Sequence, residues 1–170
     1  MSTCLVLVDI QEGFLNHYTK PILDKLKILI EEHGDEFDHI VATRFINYKG
    51  SPFTRLMNWN DLMDEQSIKL DTYVESISER VFDKKLYTCF NSEFKEYLEK
   101  NEIDKLFFAG IDTDCCVLKS AVDCFENNIY VEVILNVCAS TGGPRSDDAA
   151  KLVLERLIGA NNLNNTWCDY

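Results

Sequence analysis

Two thiols stand side by side in the stretch FFAGIDTDCCVLKSAVDC, from Phe107 to Cys124. An apolar run stops at Gly110, a short polar turn follows, and Cys115 and Cys116 open a helical pattern. A cysteine in the first turn of a helix meets free N–H groups and the positive end of the helix dipole, so a thiolate with a lowered pKa is expected there. Thr113 or Asp114 is the expected cap. Neighbouring residues on a helix point about 100° apart, so only one of the two thiols faces a given substrate. A nucleophile, core filler, a disulfide and a metal clip are the uses open to such a pair. A zinc site from Cys115, Cys116 and Cys124 lacks ligand spacing and a fourth partner. The other reactive group in a telling place is Asp9, which closes the apolar run TCLVLVD.

The elements that must position these groups follow from periodicity. Thr3 to Asp9 is a continuous apolar run with the length and Val/Leu content of a strand buried on both faces. Ile22, Leu23, Leu26, Leu29 and Ile30 have helical spacing, with Pro21 at the start and Gly34 at the end. Further strands are expected at 39–45, 79–84, 105–110 and 130–136, and a last short one near Trp167. Further helices are expected at 91–102, capped by Asn91 or Ser92, at 114–127 and at 145–159. In the third of these four helices, Val117, Ala121, Cys124 and Phe125 should share one face. Asn47 to Trp59 reads as a long loop, with a helix beginning near Asn60 and little pattern from there to Ser78.

Strand and helix alternate along the chain, which predicts an α/β fold: a doubly wound, mostly parallel six-stranded sheet with helices on both faces. The 170 residues fit one domain, 1–170, and no repeat, low-complexity tract or linker divides them. Open parallel sheets bind ligands beyond the carboxyl ends of their strands, where the strand order reverses. In a 3-2-1-4-5-6 order that crevice lies between the first and fourth strands, so Asp9 and the Gly110–Cys116 turn would face it together.

Charge and cysteine usage narrow the function classes. Lys and Arg total 17 against 29 Asp and Glu, a formal net charge of −12 that repels phosphate backbones and anionic leaflets, so neither nucleic acid nor membrane is an expected partner. No apolar run approaches the ~18 residues of a membrane span. The opening MSTCLVLVDIQEGF lacks a basic n-region and reads as a strand instead of a signal peptide. The seven cysteines (4, 89, 115, 116, 124, 138 and 168) form no C-x-x-C, which points to free thiols in a reducing cytoplasm. No G-x-G-x-x-G follows the first strand, so a nucleotide or flavin protein is not expected. TGGPR (141–145) reads as a turn. The three histidines, His17, His33 and His39, read as surface or packing residues, and a Ser-His-Asp triad is not expected.

The stretch GIDTDCCV resembles the G-x-x-T-D-x-C-V signature of the isochorismatase-like hydrolases, the superfamily of nicotinamidase and N-carbamoylsarcosine amidohydrolase. LVLVDIQEGF is similar to that family's first strand, which ends in D-x-Q-x-x-F. KKLYTCF resembles its K-x-x-Y-S-A-F segment, with Thr88 and Cys89 in place of the usual Ser and Ala. NVCAS looks like its D-A-C-A-S, with Asn136 where Asp is common. The resemblance implies a Cys-Asp-Lys triad of Cys116, Asp9 and Lys84, with Lys85 the competing lysine. It also implies a cis peptide at Ile111–Asp112 and an oxyanion hole from the backbone N–H groups of Asp112 and Cys116. Cys115 then takes the variable position of the signature, and Asp112 stands where many relatives have a small residue.

The activity so implied is hydrolysis of a small amide or related C–N bond through a thioester. No cofactor is expected. Metal-binding nicotinamidases carry D-x-H and a nearby His after the second strand; TRFINYKG has neither, so no metal is expected and nicotinamide is disfavoured as substrate. Pocket candidates are Phe14, Asn47 and Trp59. The expected partners are a small-molecule substrate and further copies of the chain, since the family commonly forms dimers or larger assemblies. Two other readings share the fold: a binding protein without catalysis, and a vinyl-ether-cleaving isochorismatase, which would lack the cysteine.

Overall fold

A computed structural model describes residues 2–164 and Trp167. Its elements run β1 (Ser2–Val8), α1 (Ile22–His33), β2 (His39–Phe45), α2 (Pro52–Leu56), α3 (Thr72–Ile77), β3 (Arg80–Lys84), α4 (Ser92–Lys100), β4 (Ile103–Ile111), α5 (Leu118–Glu126), β5 (Tyr130–Ala139), α6 (Pro144–Leu157) and β6 (Leu163–Asn164). The six strands form one sheet in the order β3-β2-β1-β4-β5-β6, and each pairing is parallel. The expected order therefore holds.

Period-two alternation builds the two layers. Cys4, Val6 and Val8 of β1 face a core shared with Phe82, Phe94, Leu106, Ala121, Cys124 and Leu154, which brings in α4, α5 and α6. Leu5 and Leu7 face the opposite core, shared with Ile22, Leu26, Leu29, Phe45 and Val74 of α1, β2 and α3. β1 is buried from Cys4 to Val8, which is why it reads as an unbroken apolar run.

Several boundaries differ from the sequence reading. Asn47–Trp59 is not a plain loop: Ser51 caps Thr54 N and Pro52 takes the first helical position, giving the short helix α2. No helix starts near Asn60; α3 begins at Thr72, where Asp71 accepts from the amides of Tyr73 and Val74. Asn91, not Ser92, caps α4. Phe125 lies off the buried face of α5 and is 43% exposed, while Ser120 is buried there. The last strand falls at Leu163–Asn164, just short of Trp167, whose ring packs on Phe37 and Phe107.

One close approach fixes where β1 and β4 end. Gly110 has φ of +129° and opposes Val8 in the register. A Cβ there would lie 2.2 Å from the Val8 carbonyl oxygen and 2.7 Å from its nitrogen. Both atoms are backbone in the middle of the sheet and have nowhere to move. Gly110→Ala is therefore expected to cost about 3 kcal/mol or more in urea unfolding, through strain and forced strand separation.

Candidate active site

Three chain segments deliver their side chains to the carboxyl edge of the sheet. Asp9 is the first residue beyond β1 and adopts φ of +49°, a left-handed turn that Asp tolerates better than most residues. Its amide donates to the Thr43 carbonyl, and Thr43 Oγ1 donates to its Oδ1 at 2.7 Å. Lys84 is the last residue of β3, paired in register with Phe45. Cys116 sits in a five-residue π-helical turn, Thr113–Val117, between β4 and α5. Expected caps Thr113 and Asp114 do not serve: Asp112 holds the cap position, with no side-chain cap bond.

These three side chains meet in the interior. Asp9 is fully buried and Lys84 only 3% exposed, and Lys84 Nζ lies 2.7 Å from Asp9 Oδ2. The ammonium donates to the carbonyls of Leu86 and Tyr87, each at 3.0 Å, and to Cys116 Sγ at 3.3 Å. The ammonium thus meets four acceptors, and the Asp9 carboxylate oxygen is the nearest of them. The Cys116 thiol is in hydrogen-bonding contact with the Asp9 carboxylate as well, so its proton has an acceptor at hand. Lys85 is placed elsewhere: it is exposed, with Nζ over the Tyr48 ring.

Electrostatics set the resting protonation. Burial opposes the charge on Lys84, but Asp9 and Cys116 outweigh it and hold its pKa above the ordinary lysine value. The Cys116 pKa is pushed well up, by burial first and by the Asp9 carboxylate second, with Lys84 offsetting only part. This corrects the expectation of a lowered pKa. The free N–H groups of a helix start are outweighed by removal from water and by an adjacent anion. The site at rest is an ion pair with a neutral thiol. Burial also raises Cys115, to about 12.

A cavity of about 320 Å³ opens above Cys116. Phe14 and Trp59 line it, as expected, and stack on each other with ring centroids 6.3 Å apart. Asn47 does not line it. That amide is buried, donating to the carbonyls of Trp59 and Asp61 and accepting from Ser51 Oγ at 2.6 Å. It holds the wall in place instead of meeting a ligand. The reading of the sequence missed Phe53, Asp61, Tyr87 and Thr141 on the wall: Phe53, Asp61 and Thr141 lie outside the patterned segments, and Tyr87 stands in KKLYTCF with no role assigned to it. It also passed over Gln11, although D-x-Q contains it: its amide donates to the carbonyls of Phe45 and Ile68 and accepts from Phe45 N, joining three segments under the cavity.

The peptide Ile111–Asp112 is cis. The carbonyl of Asp112 accepts from the amides of Cys115 and Val117 at 3.2 and 3.1 Å, which closes the turn around Cys116. The Asp112 side chain faces the cavity and accepts from Thr141 N and from Thr141 Oγ1. Burial lifts its pKa to about 6; the Thr141 hydrogen bonds pull it down, while Asp114 and Asp9 push it up. Among the described residues, Asp112, Asp114 and Cys115 are the one group whose ligand atoms could converge on a metal. All the described cysteines are free, and Cys168 lies outside the described residues. No helix among the described residues is long and apolar enough to cross a membrane.

Comparison with known proteins gives a consistent family likeness. The isochorismatase domain model matches residues 3–160. Isochorismatase family protein 1B of Dictyostelium discoideum is 26% identical over 160 residues, spanning 92% of this chain and 70% of that protein. The crystal structure of N-carbamoylsarcosine amidase from Thermoplasma acidophilum superposes with a TM-score of 0.81 at 20% identity, covering 96% of both chains. The nicotinamidase/pyrazinamidase of Bacillus subtilis gives 0.79 at 22% identity, over 97% of this chain and 100% of that one.

The raised pKa of Asp112 carries a stability consequence. The folded state holds this proton more tightly than the unfolded chain does. The resulting stabilisation is full below the ordinary carboxyl value and is lost as pH rises through about 6. Between about pH 5 and about pH 8 the loss should be about 1 kcal/mol. Urea unfolding of Asp112→Asn should lack that component of the slope seen in the wild type.

Proposed function

The chain belongs to the isochorismatase domain family, and on that premise we propose that it hydrolyses a small amide or related C–N bond, with Cys116 as nucleophile, Asp9 as proton carrier and Lys84 as charge anchor. The observation that carries this reading is the buried contact of Asp9 and Lys84 with Cys116, which lines the cavity. A carboxylate beside a thiol is a poor pairing alone, because two anions repel; the lysine makes it tolerable.

In the proposed cycle the Cys116 proton passes to Asp9 Oδ2 as sulfur attacks the carbonyl carbon, forming the S–C bond and an oxyanion. The backbone N–H groups of Asp112 and Cys116 donate to that oxyanion. The cis peptide and the closed turn support this, since the flanking amides of Cys115 and Val117 are already committed to the Asp112 carbonyl. The C–N bond then breaks, and Asp9 gives its proton to the leaving nitrogen. Water attacks the thioester, Asp9 takes a proton from it, the C–S bond breaks, and the proton returns to sulfur as the acid departs.

Magnitudes favour this order of events. Full ionisation of an ordinary thiol is worth only about 2 kcal/mol at neutral pH, whereas enzymes lower barriers by at least about 8. Cys116, held well above the ordinary value, stands to lose more than that unless its proton leaves with the attack, as in this order of events. Positioning and the oxyanion donors supply the larger share. Cofactor-free chemistry of this kind needs only groups that the chain itself brings.

Ammonia release from a panel of small amides and ureido compounds tests the reading. Cys116→Ala should lower turnover at least about 10³-fold, and Cys115→Ala should keep most of it. Lys84→Met should abolish turnover and also lower stability by about 3–5 kcal/mol, because it leaves Asp9 buried without its counter-ion. Lys85→Ala should do neither. Hydrolysis that survives Cys116→Ala but not Cys115→Ala would sink the assignment.

A further inference from the structure

The cavity over Cys116 has a charge character that the proposed chemistry does not require. Two carboxylates line it, Asp112 near the nucleophile and Asp61 at the exposed rim, and no lysine, arginine or histidine does. Neither has a cationic partner: the ion pairs among the described residues involve other acids. Asp112 Oδ1 and Oδ2 each accept from Thr141. Each oxygen keeps a second lone pair for a donor from the cavity. Much of the remaining wall is aromatic, Phe14, Phe45, Phe53, Trp59 and Tyr87, beside Met57 and the polar Asn16 and Thr141, with Phe53 edge-on to both Trp59 and Tyr87. Ring faces carry negative electrostatic potential and attract desolvated cations. Two acids and several rings thus line the same cavity, and no cationic side chain does.

An anionic substrate would meet Asp112 without a compensating positive group. A neutral one would leave the half-buried Asp112 carboxylate still unpaired. A cation satisfies the carboxylates and uses the rings. The geometry points to a substrate that carries an ammonium or guanidinium group beside its scissile amide, read by Asp112 and Asp61 within the aromatic wall. The inference rests on the reading of Cys116 as the attacking atom, which places the carbonyl at the floor and the cation against the wall.

The test separates binding from chemistry. In Cys116→Ala, NMR titration compares β-alaninamide and γ-aminobutyramide with their neutral counterparts butyramide and valeramide, and with the anions succinamate and glutaramate. The cationic amides should bind at least about tenfold tighter than the neutral ones, and the anions weakest. Adding Asp112→Asn or Asp61→Asn should shrink that preference, with Asp61→Asn the safer variant because it touches no structural hydrogen bond of its own side chain. Equal binding of neutral and cationic amides overturns the inference. So does a preference that survives both substitutions, or one that vanishes with EDTA and returns with a divalent ion, since Asp112, Asp114 and Cys115 would then be holding a metal. Wild-type turnover is followed separately: hydrolysis of neutral amides with no cation preference leaves the hydrolase standing and removes this inference. Selective binding of the cations with no hydrolysis of any amide does the reverse.

Discussion

The buried ion pair between Asp9 and Lys84 is the constraint on which the rest of the structure turns. Removing both charges from water costs several kcal/mol each, and their attraction repays this only if the remaining hydrogen-bonding capacity is met. Here it is met by main chain and neighbours that come from distant segments: Thr43 on one side, the Leu86 and Tyr87 carbonyls on the other, Cys116 between. Each donor or acceptor has its place only if β1, β2, β3 and β4 end at the same level of the sheet. Gly110 against Val8, and the left-handed turn at Asp9, hold that level. The Cys116 thiol is thereby drawn into satisfying a charge pair, and its neutrality at rest follows from the same burial.

What was legible in the chain divides along physical lines. Strands buried on both faces announce themselves as apolar runs, so β1 and β4 can be read directly, and their alternation with helices gives the doubly wound class, within which the strand order found is the one assumed. The chemistry-bearing positions Asp9 and Cys116 stood at ends of such runs, and Lys84 was reached only through resemblance to a family segment. The wall of the cavity was not legible. Phe53 and Asp61 lie in a stretch whose course is set by side-chain-to-backbone bonds, such as those of Asn47, which leave no periodic trace. Asn47 was singled out for the right neighbourhood and the wrong task.

The thiol is the sharpest case of local reasoning overruled. A helix start favours an anion by a partial charge within one turn. That turn is π-helical here, its cap position is occupied by an acid that does not cap, and a full carboxylate charge lies alongside. Opposing terms of this kind cannot be ranked from spacing, because spacing carries no information on what packs above the helix end. Asp112 illustrates the converse. Its presence in the turn was visible at once, while its orientation into the cavity depends on Thr141, which is 29 residues away.

The clasp made by Asn47 has a consequence for how such a site changes over time. One side chain fixes the carbonyls at Trp59 and Asp61 and the hydroxyl of Ser51, so a single loop carries Phe53, Trp59 and Asp61, one part of the wall, as a unit. The floor is built separately, from strand ends that cannot shift without exposing an uncompensated charge. Insertions, exchanged rings or a reversed charge between residues 47 and 61 can therefore accumulate without disturbing the reacting groups. A scaffold divided in this way lets descendants diverge in the lining of the cavity while inheriting unchanged the buried cluster beside it.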